Sequence, residues 1–474
     1  MPVVSRRTAA LATCLVLLGL TGCKESNGAA EASRDLHGNP PGMQTAAFRV
    51  PRALPTDQQL LGALGDPARR LLPLLVALEE IETGKANHPI DIIQIGDSHT
   101  ANGNFAARMR ELFQERFGAA GRGMLQPGIP FDYYRPQLAT VSETPRWTLS
   151  NSFRASAEGP WGLAGTREHG SRPTERMVLT STEEAGFGRA AVEVLRRPGA
   201  GSLDIQIDNG PVRNVSTDGP EQAADWVDLP ATPGSHTLTA SPHGDGPVEL
   251  LSWDTERPGP GVLYENFGTI GATVDIMGRW DKAIVRTELA HRDPALILIA
   301  FGTNEGFGHL ADPAAYEQMF IQRVQSVREA APGAAIVIIG PPDGNRLYRR
   351  AAGQNGNCTP HVTEDVPIMH QASLKAGRGA IWAPPPGLAE VRQAERDAAA
   401  QLGWYYWDWS AAMGGPCSMN RLVEMDPPLG FDDHIHLRTD GYRLNAQQLF
   451  AELMAQYDRY RSLRPKHPSS AALR

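Results

Sequence analysis

Apolar residues recur along this chain at two periods, and the places where the period changes outline its parts. Residues 58–82 carry leucines at helical spacing, broken near Gly65 and Pro67. Ile90-Asp91-Ile92-Ile93-Gln94-Ile95 is a short apolar run closed by Gly96, the pattern of a buried parallel strand. Phe105, Met109, Leu112 and Phe113 follow at helical spacing. The alternation resumes late, with strands expected over 295–301, 335–340 and 404–409 and helices over 313–330 and 388–402. A closing helix is expected over 440–461, with Leu444, Leu449, Leu453 and Tyr457 on its apolar face. Strands alternating with helices of this length imply right-handed crossovers. The expected fold class is α/β: a three-layer parallel sheet with helices on both faces.

Between these stretches the helical period disappears. Runs rich in β-branched and aromatic residues occupy 146–153, 175–181, 190–195, 202–207, 236–240 and 248–253. Turn signals such as Asp208-Asn209-Gly210, Pro198-Gly199 and Asp245-Gly246 separate them. This pattern suits an inserted β-sandwich over 136–260, splitting the α/β domain into 56–135 and 261–462, with a tail over 463–474. Trp147, Trp161, Trp226 and Trp253 lie in or beside the insert. They are candidates for stacking on sugar rings, although a sandwich core is the commoner place for such residues.

Composition changes the picture little. The chain has 474 residues, 41% of them hydrophobic, which suits two cores better than one. Net charge is −8 without long runs of Lys and Arg, so a nucleic-acid partner is not expected. A monomer is expected.

The N-terminus is more informative. Arg6 and Arg7 precede an apolar stretch over 9–20, too short to span a bilayer, that ends in Leu20-Thr21-Gly22-Cys23. This looks like a bacterial lipobox, with residues 1–22 as a lipoprotein signal peptide and Cys23 as the lipidation site; the alternative is an ordinary signal peptide with an incidental Cys. Residues 23–55 are rich in Gly, Ala and Pro and read as a flexible tether. The expected partner there is a membrane, held through the lipid anchor. Lys24 after the Cys resembles outer-membrane lipoproteins, so the expected location is the periplasmic side of a Gram-negative outer membrane. Of four cysteines, Cys14 falls in the leader and Cys23 in the anchor, which leaves Cys358 and Cys417. A disulfide between them is expected in an oxidising compartment, two buried thiols being the alternative.

Candidate chemistry lies where strands end. Gly96-Asp97-Ser98-His99 is a strand-to-helix turn at the edge where α/β proteins keep their sites. A serine hydroxyl needs a base, and an imidazole needs a carboxylate to fix its tautomer. Asp433-His434-Ile435-His436 supplies both, and the register is set because Asp432 plus three falls on Ile435. His434 with His436 would instead suggest a metal pair, but no further ligands cluster nearby and no metal or cofactor is expected. Gly271 and Asn304, in Asn266-Phe267-Gly268-Thr269-Ile270-Gly271 and Gly302-Thr303-Asn304-Glu305, can each offer a hydrogen-bond donor. With the Ser98 N–H they would form an oxyanion hole.

In that order the blocks resemble the SGNH/GDSL hydrolase family. Ser98 matches its nucleophile block, Gly271 its glycine block, Asn304 its asparagine block, and Asp433 with His436 its Asp-x-x-His block. The chain departs from the usual pattern with Glu305 in place of Asp and His99 in place of Leu. Those departures, and Trp407-Asp408-Trp409 with Met413-Gly414-Gly415, resemble the peptidoglycan O-acetylesterase branch. The resemblance implies a serine esterase that removes acetyl groups from muramic acid O-6, an acetylated glycan being its substrate partner. Acetyl transfer from the same site and non-catalytic wall binding stay open as alternatives. Asp97 reads as a loop-structuring residue, and His99 as either a substrate contact or a loop hydrogen-bonder.

Overall fold

Five short strands pair into one parallel sheet in the computed structural model, which describes residues 52–308, 310–363, 365–369 and 379–464. The leader, Cys23, most of the tether and residues 465–474 lie outside the described residues. The strands are β1 (Ile90–Gly96), β2 (Val262–Gly268), β3 (Leu296–Ala300), β4 (Ala335–Gly340) and β5 (Tyr405–Asp408), in the order β2-β1-β3-β4-β5. β1, β3 and β4 are buried along their whole length, which is why they read as predominantly apolar runs, with Asp91 and Gln94 the polar exceptions in β1.

Residue parity sorts the side chains onto two faces. Ile92, Leu298, Val337 and Trp407 meet Leu75, Phe105, Phe113, Leu449 and Leu453. Those come from helices Leu72–Glu82, Asn104–Phe117 and Thr439–Leu463. Ile93, Ile95, Ile297, Ile299 and Ile338 meet Leu289, Phe320, Val324 and Val391, from helices Lys282–Arg292, Pro313–Ala330 and Pro386–Leu402. The three-layer expectation therefore holds. The chain passes from β1 to one side, β2, and then returns to the other, β3. That reversal opens a crevice at the carboxyl ends of these three strands.

Some local expectations need correction. Leu444 is 48% exposed and does not share the buried face of Leu449, Leu453 and Tyr457. The closing helix lies against the domain along a narrower stripe than its leucines suggest, because only one side of it is covered. Helix Lys282–Arg292 and strand β2 were not legible from periodicity. β2 is buried almost throughout and carries Tyr, Glu and Asn within it, so neither alternation nor an apolar run marks it.

The middle of the chain forms two antiparallel sheets. One has the order Ala223–Ser235, Phe187–Arg196, Val248–Glu256, Thr166–Gly170, Thr148–Asn151. Gly121–Leu125, upstream of residue 136, also pairs with Val248–Glu256. The other sheet has the order Ala139–Glu143, Met177–Ser181, Thr237–Pro242, Ser202–Ile207, Arg213–Ser216. Val192, Val194, Leu250 and Trp253 of the first meet Leu179, Leu203, Ile205 and Leu238 of the second, making a sandwich core.

Arg292 joins the sandwich to the parallel sheet. It is fully buried and pairs with Asp254 at 2.6 Å, Glu256 at 2.5 Å, Glu265 at 2.6 Å and also with Asp91. Asp91 and Glu265 stand on β1 and β2, whereas Asp254 and Glu256 stand on a sandwich strand. Removing one partner from such a network strands buried charge, so the network fixes how the two parts meet.

Candidate active site

β1 ends at Gly96, where nothing larger fits. A Cβ would stand 2.3 Å from Thr100 Oγ1 and 2.4 Å from the Ala300 carbonyl oxygen. The chain then turns into the short helix Ser98–Ala101, with the Asp97 carboxylate accepting from the His99 N–H at 2.9 Å. Asp97 is buried, and burial raises its carboxyl to about 6 against the opposing pull of the His99 N–H and the polar groups of Thr303. It thus structures the loop, as expected, and sits between Ser98 and the Asn304 segment.

The hydroxyl of Ser98 lies 2.9 Å from His436 Nε2, and His436 Nδ1 lies 2.7 Å from Asp433 Oδ2. Asp433 Oδ1 accepts from the N–H groups of Ile435 and His436, each at 2.9 Å. The carboxylate therefore holds the ring through one oxygen and the turn beneath it through the other. Burial alone would raise the Asp433 carboxyl, but the His436 and backbone hydrogen bonds outweigh it and bring the value down to about 2. An ionised carboxylate on Nδ1 leaves Nε2 to accept the serine proton.

His434 points elsewhere. Its ring stacks on Trp382 at 3.6 Å between centroids, its N–H donates to the Phe431 carbonyl at 3.0 Å, and its carbonyl accepts from Asn345 at 2.8 Å. Burial lowers its imidazole to about 4. It braces the turn that carries Asp433 and His436. Among the described residues no three His, Cys, Asp or Glu side chains converge as a ligand set.

Gly271 follows β2 and adopts φ +76°, a conformation that favours glycine. The Thr269 N–H donates to the Gly96 carbonyl at 2.9 Å, tying this loop to the end of β1. Asn304, after β3, donates from Nδ2 to the Ala272 carbonyl at 2.8 Å. An amide has two N–H donors, so one is left for a ligand. Glu305 Oε1 accepts from Val274 at 2.7 Å and Oε2 from Gly302 at 3.1 Å. Ser98, Gly271 and Asn304 thus leave the carboxyl ends of three adjacent strands, on loops bonded to one another.

His99 is buried and its Nδ1 lies 2.8 Å from the Tyr442 hydroxyl, so it ties the serine turn to the closing helix. Burial, then the nearby His436, hold its imidazole well below the ordinary range. Its ring centroid stands 5.1 Å from that of His436, forming a neutral wall behind the base.

Cys358 and Cys417 form a disulfide. Trp382, which supports His434, exchanges backbone hydrogen bonds with the segment around Cys358, and the Met419 N–H donates to Asp343 Oδ2 at 2.9 Å. The bridge therefore staples the strip that supports the histidine turn.

Trp147, Trp161, Trp226 and Trp253 are all buried, Trp226 being stacked on His291 at 3.9 Å, so these are core aromatics. Phe153, at the end of the expected 146–153 run, is instead 52% exposed and lies against Gly271. Nothing in its sequence context marked it as different from a strand residue.

Residues 241–444 match the GDSL-like Lipase/Acylhydrolase family. The matched span holds Gly271, Asn304, Asp433 and His436 but begins after Ser98, within the sandwich. A solved peptidoglycan O-acetylesterase is similar at 25% identity and TM-score 0.64, over 81% of this chain and 96% of that one. A family two carbohydrate esterase from Cellvibrio japonicus aligns at 12% identity and TM-score 0.27, over 68% of this chain and 98% of that one. Another, from Clostridium thermocellum in complex with cellohexaose, aligns at 12% identity and TM-score 0.27, over 66% and 99%. No curated protein is matched. Together the parallel sheet and the family match define a carboxylic ester hydrolase. Over residues 241–444 the chain is similar to the GDSL/SGNH hydrolase family.

Proposed function

We propose that this chain removes O-acetyl groups from peptidoglycan, at muramic acid O-6, with Ser98 as nucleophile. The observation that carries this reading is the hydrogen-bonded line from Ser98 through His436 to Asp433. Support for the substrate comes from the likeness to a peptidoglycan O-acetylesterase, at 25% identity over 81% of the chain.

His436 Nε2 takes the Ser98 proton as the oxygen attacks the acetyl carbonyl. Asp433 supports the resulting imidazolium. The oxyanion rests on the N–H groups of Ser98 and Gly271 and on Asn304 Nδ2. His436 returns the proton to the sugar oxygen, which leaves as the alcohol. Water, deprotonated by the same imidazole, then attacks the acetyl-serine carbonyl, and acetate departs as Ser98 recovers its proton. In this reading the enzyme works in the periplasm, anchored by lipid on Cys23, a tether supported by Leu20-Thr21-Gly22-Cys23.

Mass spectrometry of O-acetylated muropeptides tests the reading. Incubation with the enzyme should convert acetylated species to their deacetylated forms with release of acetate, and Ser98→Ala should not. Muropeptides that keep their acetyl groups while p-nitrophenyl acetate is cleaved would reject this substrate.

A further inference from the structure

Phe153 stands apart from the other large aromatics of the sandwich. Half of its surface faces water, while Trp147, Trp161, Trp226 and Trp253 are enclosed. Its ring reaches the α/β part of the molecule: a Cβ on Gly271 would lie 3.2 Å from Phe153 Cζ. The glycine that offers an oxyanion donor is therefore flanked by an aromatic ring from the inserted sandwich.

The ring is presented by a stiff loop. Arg279, eight residues after Gly271 in the chain, donates to the carbonyls of Ser152, Arg154 (2.9 Å) and Ala157 (2.8 Å). Its guanidinium also lies 5.0 Å over the Trp161 ring. The Phe153 N–H donates to Asn151 Oδ1 at 2.8 Å, and the Ser152 N–H to the Gly165 carbonyl at 2.8 Å. Ser152 is fully buried, so the residue before the exposed ring is anchored. A large apolar side chain held rigidly in water beside a reaction centre suits contact with a ligand, because little ordering remains to be done on binding.

We propose that Phe153 is the sugar-facing wall of the site, an aromatic platform that packs against the pyranose ring bearing the ester. This rests on the reading that the substrate is an acetylated glycan. The acetyl group itself is one methyl and one carbonyl, far smaller than the exposed ring. The alcohol half is a ring with an apolar C–H face, and an exposed aromatic surface matches it. On this view the insert contributes a specificity residue directly to the catalytic crevice.

The test compares two substrates, O-acetylated peptidoglycan fragments and p-nitrophenyl acetate, on wild type, Phe153→Ala and Phe153→Trp. The ratio of kcat/KM for the fragments to that for p-nitrophenyl acetate should fall about tenfold in Phe153→Ala, mainly through KM, an effect the size of one aromatic contact. Phe153→Trp should restore most of it. An unchanged ratio in Phe153→Ala overturns the proposal, and so does a gain in activity on p-nitrophenyl butyrate with unaltered fragment KM, which would make Phe153 an acyl-size gate. If wild type cleaves p-nitrophenyl acetate but spares the fragments, the glycan reading fails and this proposal with it. If wild type deacetylates fragments while the ratio holds in Phe153→Ala, only the role of Phe153 fails. Thermal unfolding of each variant separates these outcomes from loss of fold.

Discussion

Glu305 Oε1 accepts the Val274 N–H at 2.7 Å, and in doing so ties the loop of Gly271 to the loop of Asn304. Burial, opposed by the backbone N–H groups it accepts, raises this carboxyl to about 7. Its folded value thus exceeds its ordinary value of 4.5, so the folded chain holds the proton more tightly. The stability it contributes is fully present below pH ~4.5 and is lost as pH rises through about 7. In Glu305→Gln the melting temperature should fall less steeply across that window than in wild type. The variant should also lose kcat by roughly an order of magnitude, since one buried N–H loses its acceptor. Parallel pH profiles of the two proteins would refute this role for Glu305.

Asp433 separates activity from stability. Asp433→Asn should leave the fold within about 1 kcal/mol of wild type, because the partly exposed carboxylate is screened by solvent. It should lower kcat by roughly three to four orders of magnitude, because the amide no longer fixes the His436 tautomer. Single-turnover kinetics and a melting curve on the same preparation check both halves.

Asn304→Ala removes a donor and also the bond to the Ala272 carbonyl. The expected loss in kcat is roughly a hundredfold or more, with a smaller change in KM. A KM effect without a kcat effect would assign Asn304 to ground-state binding instead.

The disulfide closes a loop with a sequence separation of 59 residues. Chain entropy puts its contribution at up to about 4 kcal/mol. Replacing Cys358 and Cys417 together by Ser should lower the melting temperature and reduce kcat, because the strip supporting His434 loosens. Differential scanning calorimetry and esterase assays with and without reductant would show whether the two losses coincide.

Arg292→Met should be far more damaging than an ordinary surface change. It leaves Asp91, Asp254, Glu256 and Glu265 buried without their shared cation. The cost of breaking such a network is about 3–5 kcal/mol, and soluble yield should fall accordingly. Normal yield and melting temperature would show that the carboxyls simply hold protons.

Much of the site could be read along the chain. Ser98 sits after an apolar run and before a helical period, and Asp433 and His436 are close enough in sequence to pair locally. Strands buried on both faces announce themselves as apolar runs, which is why β1, β3 and β4 were placed within a residue or so. β2 was not, because its Tyr264, Glu265 and Asn266 are satisfied by distant partners: Gln94, Arg292, and the Arg110 and Thr100 groups respectively. Local pattern carries no record of such partners.

By itself, then, the sequence determined which apolar runs become strands, where the chain turns sharply, and which residue types stand at the turns. Periodicity and turn chemistry are local, so they survive in one dimension. Only the tertiary structure decided that the Ser98 hydroxyl meets an imidazole 338 positions away, that four tryptophans are enclosed, and that the exposed Phe153 lies against Gly271. Exposure depends on what covers a surface, and here the covering elements arrive from remote parts of the chain.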